Sequence, residues 1–596
     1  MCGIAGVVRR DGSQELRGPV EQMRLALRHR GPDDSGTWIA PGKNAAFAHT
    51  RLAILDQSSA GHQPMSLPDA RYTITYNGEI YNFGALRQRL VDAGVEFRSQ
   101  SDTEVILRLY EAEGPACVER LRGMFALAIW DDREQTCFLA RDRFGIKPLY
   151  YCHAIGALAF ASELRALSAA GMMPGRLNVQ AAYQYFLAGS VPEPLTLIDG
   201  LHAVEAGHYL VWREGRLDVR QYWRPSFPRV EAFADPVAAT RGVLIDSVRH
   251  HFVSDVPVGV LLSGGVDSTA ILALARLSQP GELHTFTITF PGTPMDEGPD
   301  ARRTAALFGT IHHEWAVDAG TARQILTEFL EAADQPSIDG FNTFAACRLA
   351  RQRGAKVLLS GLGGDELFGG YPSFREVPRL LKWGRLARLG GPLSSGLLWL
   401  AGRAGAASWR RLLDLIEQPP DLESAYRVFR GIFSRREARA LAQHYFGGDV
   451  VIANRPEYRA TAPTLLDEVS SLELTRYMRN QLLRDADVMS MASGIELRVP
   501  FLDSEVFDTL ALIPADQRMA ARKGLLLRAV PEIPTWVASK RKRGFMFPFQ
   551  HWLDGEWAGD MGEPAHQRVV AMDTWVRQWS VMAFENWLRR LMVSNV

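Results

Sequence analysis

The clearest pattern along the chain is a set of short apolar runs that end in glycine. Residues 256–262 are mostly valine and leucine and stop at Ser263-Gly264-Gly265-Val266-Asp267-Ser268, after which residues 269–277 return to a helical mix of alanine and leucine. A continuous run of that length with no polar face predicts a strand buried on both sides of a parallel sheet. Residues 355–360 repeat the pattern and lead into Gly361-Leu362-Gly363-Gly364-Asp365-Glu366-Leu367-Phe368-Gly369-Gly370-Tyr371. Residues 283–290 alternate and end at Pro291-Gly292, a third strand feeding the same edge, while 236–250 and 301–308 read as covering helices. Strands alternating with helices predict a doubly wound parallel sheet for the second half.

The first half has a different texture. Tyr72-Thr73-Ile74-Thr75-Tyr76 alternates like a half-buried strand and runs into Asn77-Gly78-Glu79. Residues 125–130 and 137–140, on either side of an Asp131-Asp132 turn, predict hairpins and hence paired antiparallel sheets. Pro225, Pro228 and a polar stretch up to Asp235 mark a boundary. The expected division is therefore 1–210, a linker at 211–235, and 236–596, with 375–470 as a mostly helical insertion. Within 375–411, Arg379, Lys382, Arg385 and Arg388 recur at helical spacing with Leu380, Leu381, Trp383 and Leu386 between them. Such a helix suits a membrane or partner surface, or, more plainly, the solvated face of a helical subdomain.

At 596 residues the chain exceeds what one core organises, so two or three domains are expected. Hydrophobic content of 47% with 22% charged residues describes a soluble globular protein, and a formal net charge of zero gives no overall field for nucleic acid or an anionic membrane. Cys2, Cys117, Cys137, Cys152 and Cys347 are odd in number and lack C-x-x-C spacing, which argues against a zinc knuckle or disulfide framework and for a reducing, cytoplasmic setting. The opening apolar run from Ile4 to Val8 is too short for a signal-peptide core, and no stretch approaches the roughly 20 apolar residues of a membrane span.

Candidate chemistry gathers at two places. Two glycines after the 256–262 strand let the backbone approach a ligand closely, and the following helix points its positive end at it. The turn is an anion cradle but not a Walker loop, because the lysine of G-x-x-x-x-G-K-[ST] is missing. Asp267 would reach phosphate only through a cation such as Mg²⁺. A second such turn bearing Asp365 would face the first across the carboxyl edge of the sheet, where open α/β sheets bind ligands, so the two aspartates would share one metal–triphosphate. At the other place, Cys2 stands next to the start. With Met1 removed, its own α-amine titrates near neutrality and can act as base for the thiol. Arg28-His29-Arg30-Gly31-Pro32-Asp33, His49-Thr50-Arg51-Leu52 and Ser101-Asp102-Thr103-Glu104 (a predicted helix start) complete the set.

From Cys2 to about Tyr209 these motifs resemble the class II glutaminase domain, an N-terminal-nucleophile hydrolase. The resemblance implies that Cys2 attacks the side-chain amide of glutamine, that Asn77 and the Gly78 N–H form the oxyanion hole, that Arg51 binds the glutamine carboxylate and Asp102 its α-ammonium, and that Glu79 holds the ligand from the same loop as Asn77 and Gly78. Ser263–Ser268 and Ser360–Tyr371 resemble the two pyrophosphate loops of the glutamine-hydrolysing asparagine synthetases, as do Arg484-Asp485-Ala486-Asp487 and the 494–503 stretch. That family cleaves ATP to AMP and pyrophosphate. By the same resemblance Leu262 and Ile288 flank the adenine, and Ser263, Gly264, Gly265, Asp267, Ser268, Ser360 and Gly361 bind the nucleotide. Asp267 and Asp365 hold Mg²⁺, and Lys542, in the basic string 540–543, faces pyrophosphate or adenylate; a nucleic-acid patch or a structural loop is the competing reading of that string.

The implied fold is an α+β N-terminal-nucleophile hydrolase domain, an antiparallel sheet sandwich, followed by an α/β parallel-sheet ATP-pyrophosphatase domain with a helical C-terminal part. The implied reaction takes glutamine, ATP, Mg²⁺ and an acceptor acid to an amide, glutamate, AMP and pyrophosphate. Aspartate is the default acceptor, with no nucleic-acid partner and no integral membrane segment; the sequence is silent on oligomeric state and leaves a homodimer open. One position departs from the family: the second loop has Leu362 where the asparagine synthetases carry glutamate. A positioned base is worth roughly 10²–10⁴-fold, so either Asp334, Asp339 or Glu366 substitutes, or the acceptor is a sugar acid or other specialised carboxylate. A non-catalytic scaffold would show eroded loops, whereas Cys2, Asn77, Gly78, Asp267 and Asp365 are all present.

Overall fold

The computed structural model describes residues 2–12, 14–154, 156–172, 175–230, 232–389, 407–417, 420–447, 462–540, 547–557 and 569–594. Lys542 and its neighbours 541–546 lie outside the described residues, as do residues 390–406 of the basic stretch.

The first half is built from β1 (Cys2–Arg9), β2 (Asp34–Ile39), β3 (Ala45–Arg51), β4 (Met65–Ser66), β5 (Tyr72–Ile80), β6 (Gly123–Asp131), β7 (Thr136–Arg141), β8 (Tyr150–Ala154), β9 (Ala157–Ala161), β10 (Leu201–Ala203), β11 (His208–Arg213) and β12 (Arg216–Gln221). They form two six-stranded sheets, β10-β8-β9-β1-β3-β2 and β12-β11-β7-β6-β5-β4, with every pairing antiparallel. Ile4, Phe47 and Phe160 of the first sheet pack against Ala128, Trp130, Leu139 and Trp212 of the second. The outer faces are closed by helices: Arg17–Ala26 and Val179–Ala188 on one side, Phe83–Asp92 and Asp102–Glu113 on the other. The sandwich is therefore the α+β layer arrangement expected. The β11–β12 hairpin completes the second sheet and carries the antiparallel half to Gln221, past residue 210.

The second half centres on a five-stranded parallel sheet of β13 (Val258–Leu261), β14 (His284–Thr289), β15 (Ile311–Ala316), β16 (Val357–Leu359) and β17 (Glu496–Arg498), in the order β15-β14-β13-β16-β17. Strand order reverses between β13 and β16, so the two glycine loops leave adjacent strands at the switch point of the sheet. Between them and β17 the described residues from 373 to 472 are helical or connecting: Ser373–Leu389, Ala407–Glu417, Leu422–Arg430, Arg435–Phe446 and Leu465–Leu472. Among the described residues no helix is long and apolar enough to cross a membrane.

Two local expectations shift. Asn77, Gly78 and Glu79 belong to β5 rather than to a loop after it, because they pair with Ala126, Phe125 and Met124 of β6. A Cβ on Gly78 would meet the Met124 carbonyl at 2.1 Å, so this close pairing requires glycine. Likewise the helix after β13 begins at Val266, not at 269, which puts Asp267 and Ser268 in its first turn. An acidic side chain there is favoured by the helix dipole.

Candidate active site

Cys2 opens β1 opposite Arg51 of β3 and meets β5 across the sandwich, where its N–H donates to Asn77 Oδ1 at 2.9 Å. The other end of that amide, Asn77 Nδ2, is buried and has no hydrogen-bond partner. A buried donor left unpaired is free to serve a negatively charged oxygen. Burial pushes the Cys2 thiol up, opposed by a hydrogen bond from the Leu52 backbone and by Arg51.

The remaining glutamine-site candidates surround this pair. Arg51 is buried, and its guanidinium donates to the backbone carbonyls of Ser58 (3.1 Å), Leu55 (3.2 Å) and Asp56. That clamp fixes the fork in place. Asp102 is held by Ser101, which caps the helix Asp102–Glu113, and accepts from Tyr76 Oη at 2.8 Å and Ile80 N at 3.1 Å. Glu79 is buried, with Oε2 at 3.1 Å from Arg498 and Oε1 without a partner.

Across the chain, the first glycine loop is tied up internally. Ser263 Oγ lies 2.9 Å from Ser268 Oγ and accepts from Gly265 N at 3.2 Å, while Gly264 N donates to Glu297 at 3.0 Å. Gly361 of the second loop presses against it, since a Cβ there would meet Ser268 N at 2.9 Å, and a Cβ on Gly364 would meet Asp267 Oδ1 at 2.5 Å. The glycines thus let the two loops touch. Leu262 and Ile288 are both buried but join separate hydrophobic clusters.

The residue that joins the loops is one the motif pattern did not single out. Lys523 Nζ lies 2.5 Å from Asp267 Oδ2 and 2.5 Å from Asp365 Oδ1. It stands in a left-handed conformation, φ 58°, just before the helix Gly524–Ala529. The signal available in the sequence was only an isolated Arg522-Lys523-Gly524 after a short helix, with no phosphate motif around it. Of the same basic string, Lys540 lies within the described residues: its Nζ is 3.3 Å from the Gly264 carbonyl and pairs with Asp300.

Among the described residues no group of three or more His, Cys, Asp or Glu side chains gathers around a metal position. The Asp267–Asp365 pair nevertheless fits Mg²⁺. Two carboxylates converge on a point where a cation already sits, the Lys523 ammonium, and Mg²⁺ ordinarily takes one or two carboxylates and completes its shell with water and phosphate oxygens.

Leu362 is half-buried and packs against apolar clusters. Of the three acids considered in its stead, Asp334 is engaged elsewhere: it accepts from Leu164 N at 2.7 Å and Arg165 N at 3.0 Å, starting the helix Leu164–Ala169. Asp339 accepts from Gly340 N at 2.7 Å. Glu366 alone lies next to the loop aspartates; it is fully buried, and burial together with Asp365 and Glu473 pushes its pKa up to about 8.

Buried ion pairs join the halves. Arg30 donates to the Cys2 carbonyl (3.1 Å), to Glu163 (2.7 Å) and, across the interface, to Asp487 (2.6 Å). Arg122 likewise grips Asp503 at 2.8 Å.

The glutamine amidotransferase domain family matches residues 1–223 and the asparagine synthase family matches residues 239–589. A glutamine-hydrolysing asparagine synthetase of Bacillus subtilis is 34% identical over 93% of this chain and 88% of its own length. Asparagine synthetase B of Escherichia coli is 35% identical over 63% of this chain and 66% of its own. A protein named amidase chry2, from Gibberella zeae, is 32% identical over 63% of this chain and 60% of its own. An antiparallel sandwich with a cysteine at its head, joined to a parallel sheet with paired glycine loops, is the architecture of a glutamine-hydrolysing ligase. The chain belongs to the glutamine-hydrolysing asparagine synthetase family, whose members use ATP.

Proposed function

We propose that this glutamine-dependent amide synthetase works as a two-centre relay, with a glutaminase half, a linker and a ligase half beginning near residue 236. In the first centre Cys2 attacks the glutamine amide carbon, and the oxyanion that forms takes hydrogen bonds from Asn77 Nδ2 and the Gly78 N–H. Arg51, Glu79 and Asp102 hold the ligand's charged end. The observation that carries this reading is the buried, unpaired Asn77 Nδ2 on an amide whose oxygen is fixed by Cys2.

In the second centre Ser263, Gly264, Gly265, Ser268, Ser360 and Gly361 bind ATP, with Leu262 and Ile288 beside the base and Lys542 toward the leaving pyrophosphate. Asp267 and Asp365 hold Mg²⁺, which supplies charge neutralisation on the phosphates, and Lys523 either shares that role or yields its position to the ion. The acceptor carboxylate attacks the α-phosphate, pyrophosphate leaves, and ammonia then displaces AMP from the acyl carbon. Cytoplasmic ATP and glutamine fit this chemistry.

Aspartate is the first acceptor to test. A larger acid is favoured by one further observation: a cavity of about 780 Å³ lined by Tyr183, Ile338, Tyr426, Arg430, Tyr477 and Gln481, among others. Its wall reaches the second loop, since the Arg430 guanidinium carbon lies 4.5 Å from the ring centroid of Tyr371. The test is pyrophosphate release from ATP, Mg²⁺ and glutamine with a panel of acids, aspartate and uronic acids included. Release with aspartate alone supports the default; release only with bulkier acids supports the cavity.

A further inference from the structure

Arg498 touches both centres. It is fully buried, and its guanidinium reaches three elements. Nε donates to Glu496 at 2.5 Å, Nη1 to the carbonyls of His251 (2.8 Å) and Val253 (2.7 Å), and Nη2 to Glu79 Oε2 at 3.1 Å. Glu79 shares β5 with Asn77. The main chain of the same arginine faces the other way. Because Leu359 of β16 pairs with Arg498 of β17, the Arg498 carbonyl accepts the Ser360 N–H at 2.9 Å, and Ser360 begins the second glycine loop.

We propose that Arg498 is a positioning residue that couples glutamine binding to nucleotide binding. The inference rests on the reading of Glu79 and of Ser360–Gly361 as contacts of the two ligands. Glu79 keeps one oxygen on Arg498, and its other oxygen is buried and unpaired on the strand that carries Asn77, the partner of the Cys2 N–H. An ammonium-bearing ligand arriving there competes with Arg498 for the same carboxylate. The guanidinium then leans on its second acid, Glu496, and on the two carbonyls at the end of the helix Pro236–His251. Its backbone cannot follow without moving the hydrogen bond that fixes Ser360.

Charge in the cluster is poised for such a shift. Burial raises the Glu79 carboxyl well above its usual range against the pull of Arg498, whereas Glu496, equally buried, is held below it by Arg498 and Lys147. A cation beside Glu79 favours its ionised form, so the ligand changes how the two acids share one arginine. Lysine at this position keeps the charge, but a single ammonium on a flexible stem does not present the rigid fork that serves Glu79, Glu496 and two carbonyls at once.

The test uses the full-length chain carrying Cys2→Ala, in which glutamine stays intact. Calorimetric titration gives the Kd of glutamine with and without a non-hydrolysable ATP analogue plus Mg²⁺, and the Kd of the analogue with and without glutamine. Each ligand is expected to change the other's Kd by about fivefold or more, by the same factor in both directions because linkage is reciprocal. Adding Arg498→Lys should bring that factor under about twofold while each ligand alone binds within about threefold of the parent. Glu496→Gln, a near-isosteric change, should also lower the factor and carries the test if the lysine variant does not fold. An undiminished factor in either variant, or no coupling in the parent although both ligands bind, overturns the proposal. Failure of one ligand to bind at all overturns the site assignment beneath it as well, and the binary titrations distinguish that case.

Discussion

Lys523 and Asp267 lie far apart in sequence, yet the lysine ammonium sits 2.5 Å from the aspartate carboxylate, with the lysine side chain 6% exposed. The same ammonium reaches Asp365, so a single cation closes the two glycine loops against each other.

Breaking this clasp from the lysine side leaves two carboxylates facing each other. Removing one partner of a buried ion pair costs about 3–5 kcal/mol. Lys523→Met is therefore expected to lower the thermal midpoint in metal-free buffer and to recover part of the loss with Mg²⁺. The check is a thermal scan with and without the ion. A midpoint unmoved by the substitution contradicts the clasp.

From the aspartate side the outcome differs. An amide is a much poorer ligand for a hard cation than a carboxylate, so Asp267→Asn or Asp365→Asn should cut pyrophosphate release by about 10²-fold or more. Glutamine hydrolysis at Cys2 should persist in both. Wild-type ATP turnover in both variants would remove the metal assignment.

His251 offers a pH test of the interface. It is buried, its ring centroid lies 4.0 Å from that of Tyr81 at a tilt of 36°, and burial lowers its pKa to about 4. The unfolded chain binds a proton between that value and the ordinary 6.5, while the folded chain does not. Stability from this group is thus complete above 6.5 and lost as pH falls toward 4, a decline of about 3 kcal/mol by linkage. His251→Phe keeps an aromatic ring and removes the titration, so its midpoint should fall less between neutral and acid pH than the wild type's. Equal slopes in parallel scans rule this out.

Leu362 packs among apolar side chains, so Leu362→Glu sets a carboxylate against them. Partial desolvation is expected to destabilise by about 1–3 kcal/mol, with no gain in aspartate-dependent pyrophosphate release. Rescue of that release by the glutamate would instead identify an aspartate site lacking only its base.

The glycine loops and the helix start at Ser101 were legible because each is local: a turn or a cap carries its own residue signature. What stayed hidden depends on distance. Lys523 joins the site only when the short helix after it folds back on the sheet, and nothing adjacent in sequence records that contact. Asp334 looked available as an acid until the fold set it under the N-terminus of Leu164–Ala169 in the other half. The end of β5 was hidden too: Asn77-Gly78-Glu79 continues the strand through pairing with β6, and close packing on Met124 is what requires the glycine.

The central claim is that two separate centres exchange ammonia, and Cys2→Ala tests it most directly. With ATP, Mg²⁺ and an accepted acid, the variant should release no pyrophosphate in the presence of glutamine alone yet match the wild type when ammonium chloride is supplied. An equal loss with glutamine and with ammonium would contradict the relay and make Cys2 a structural residue of β1.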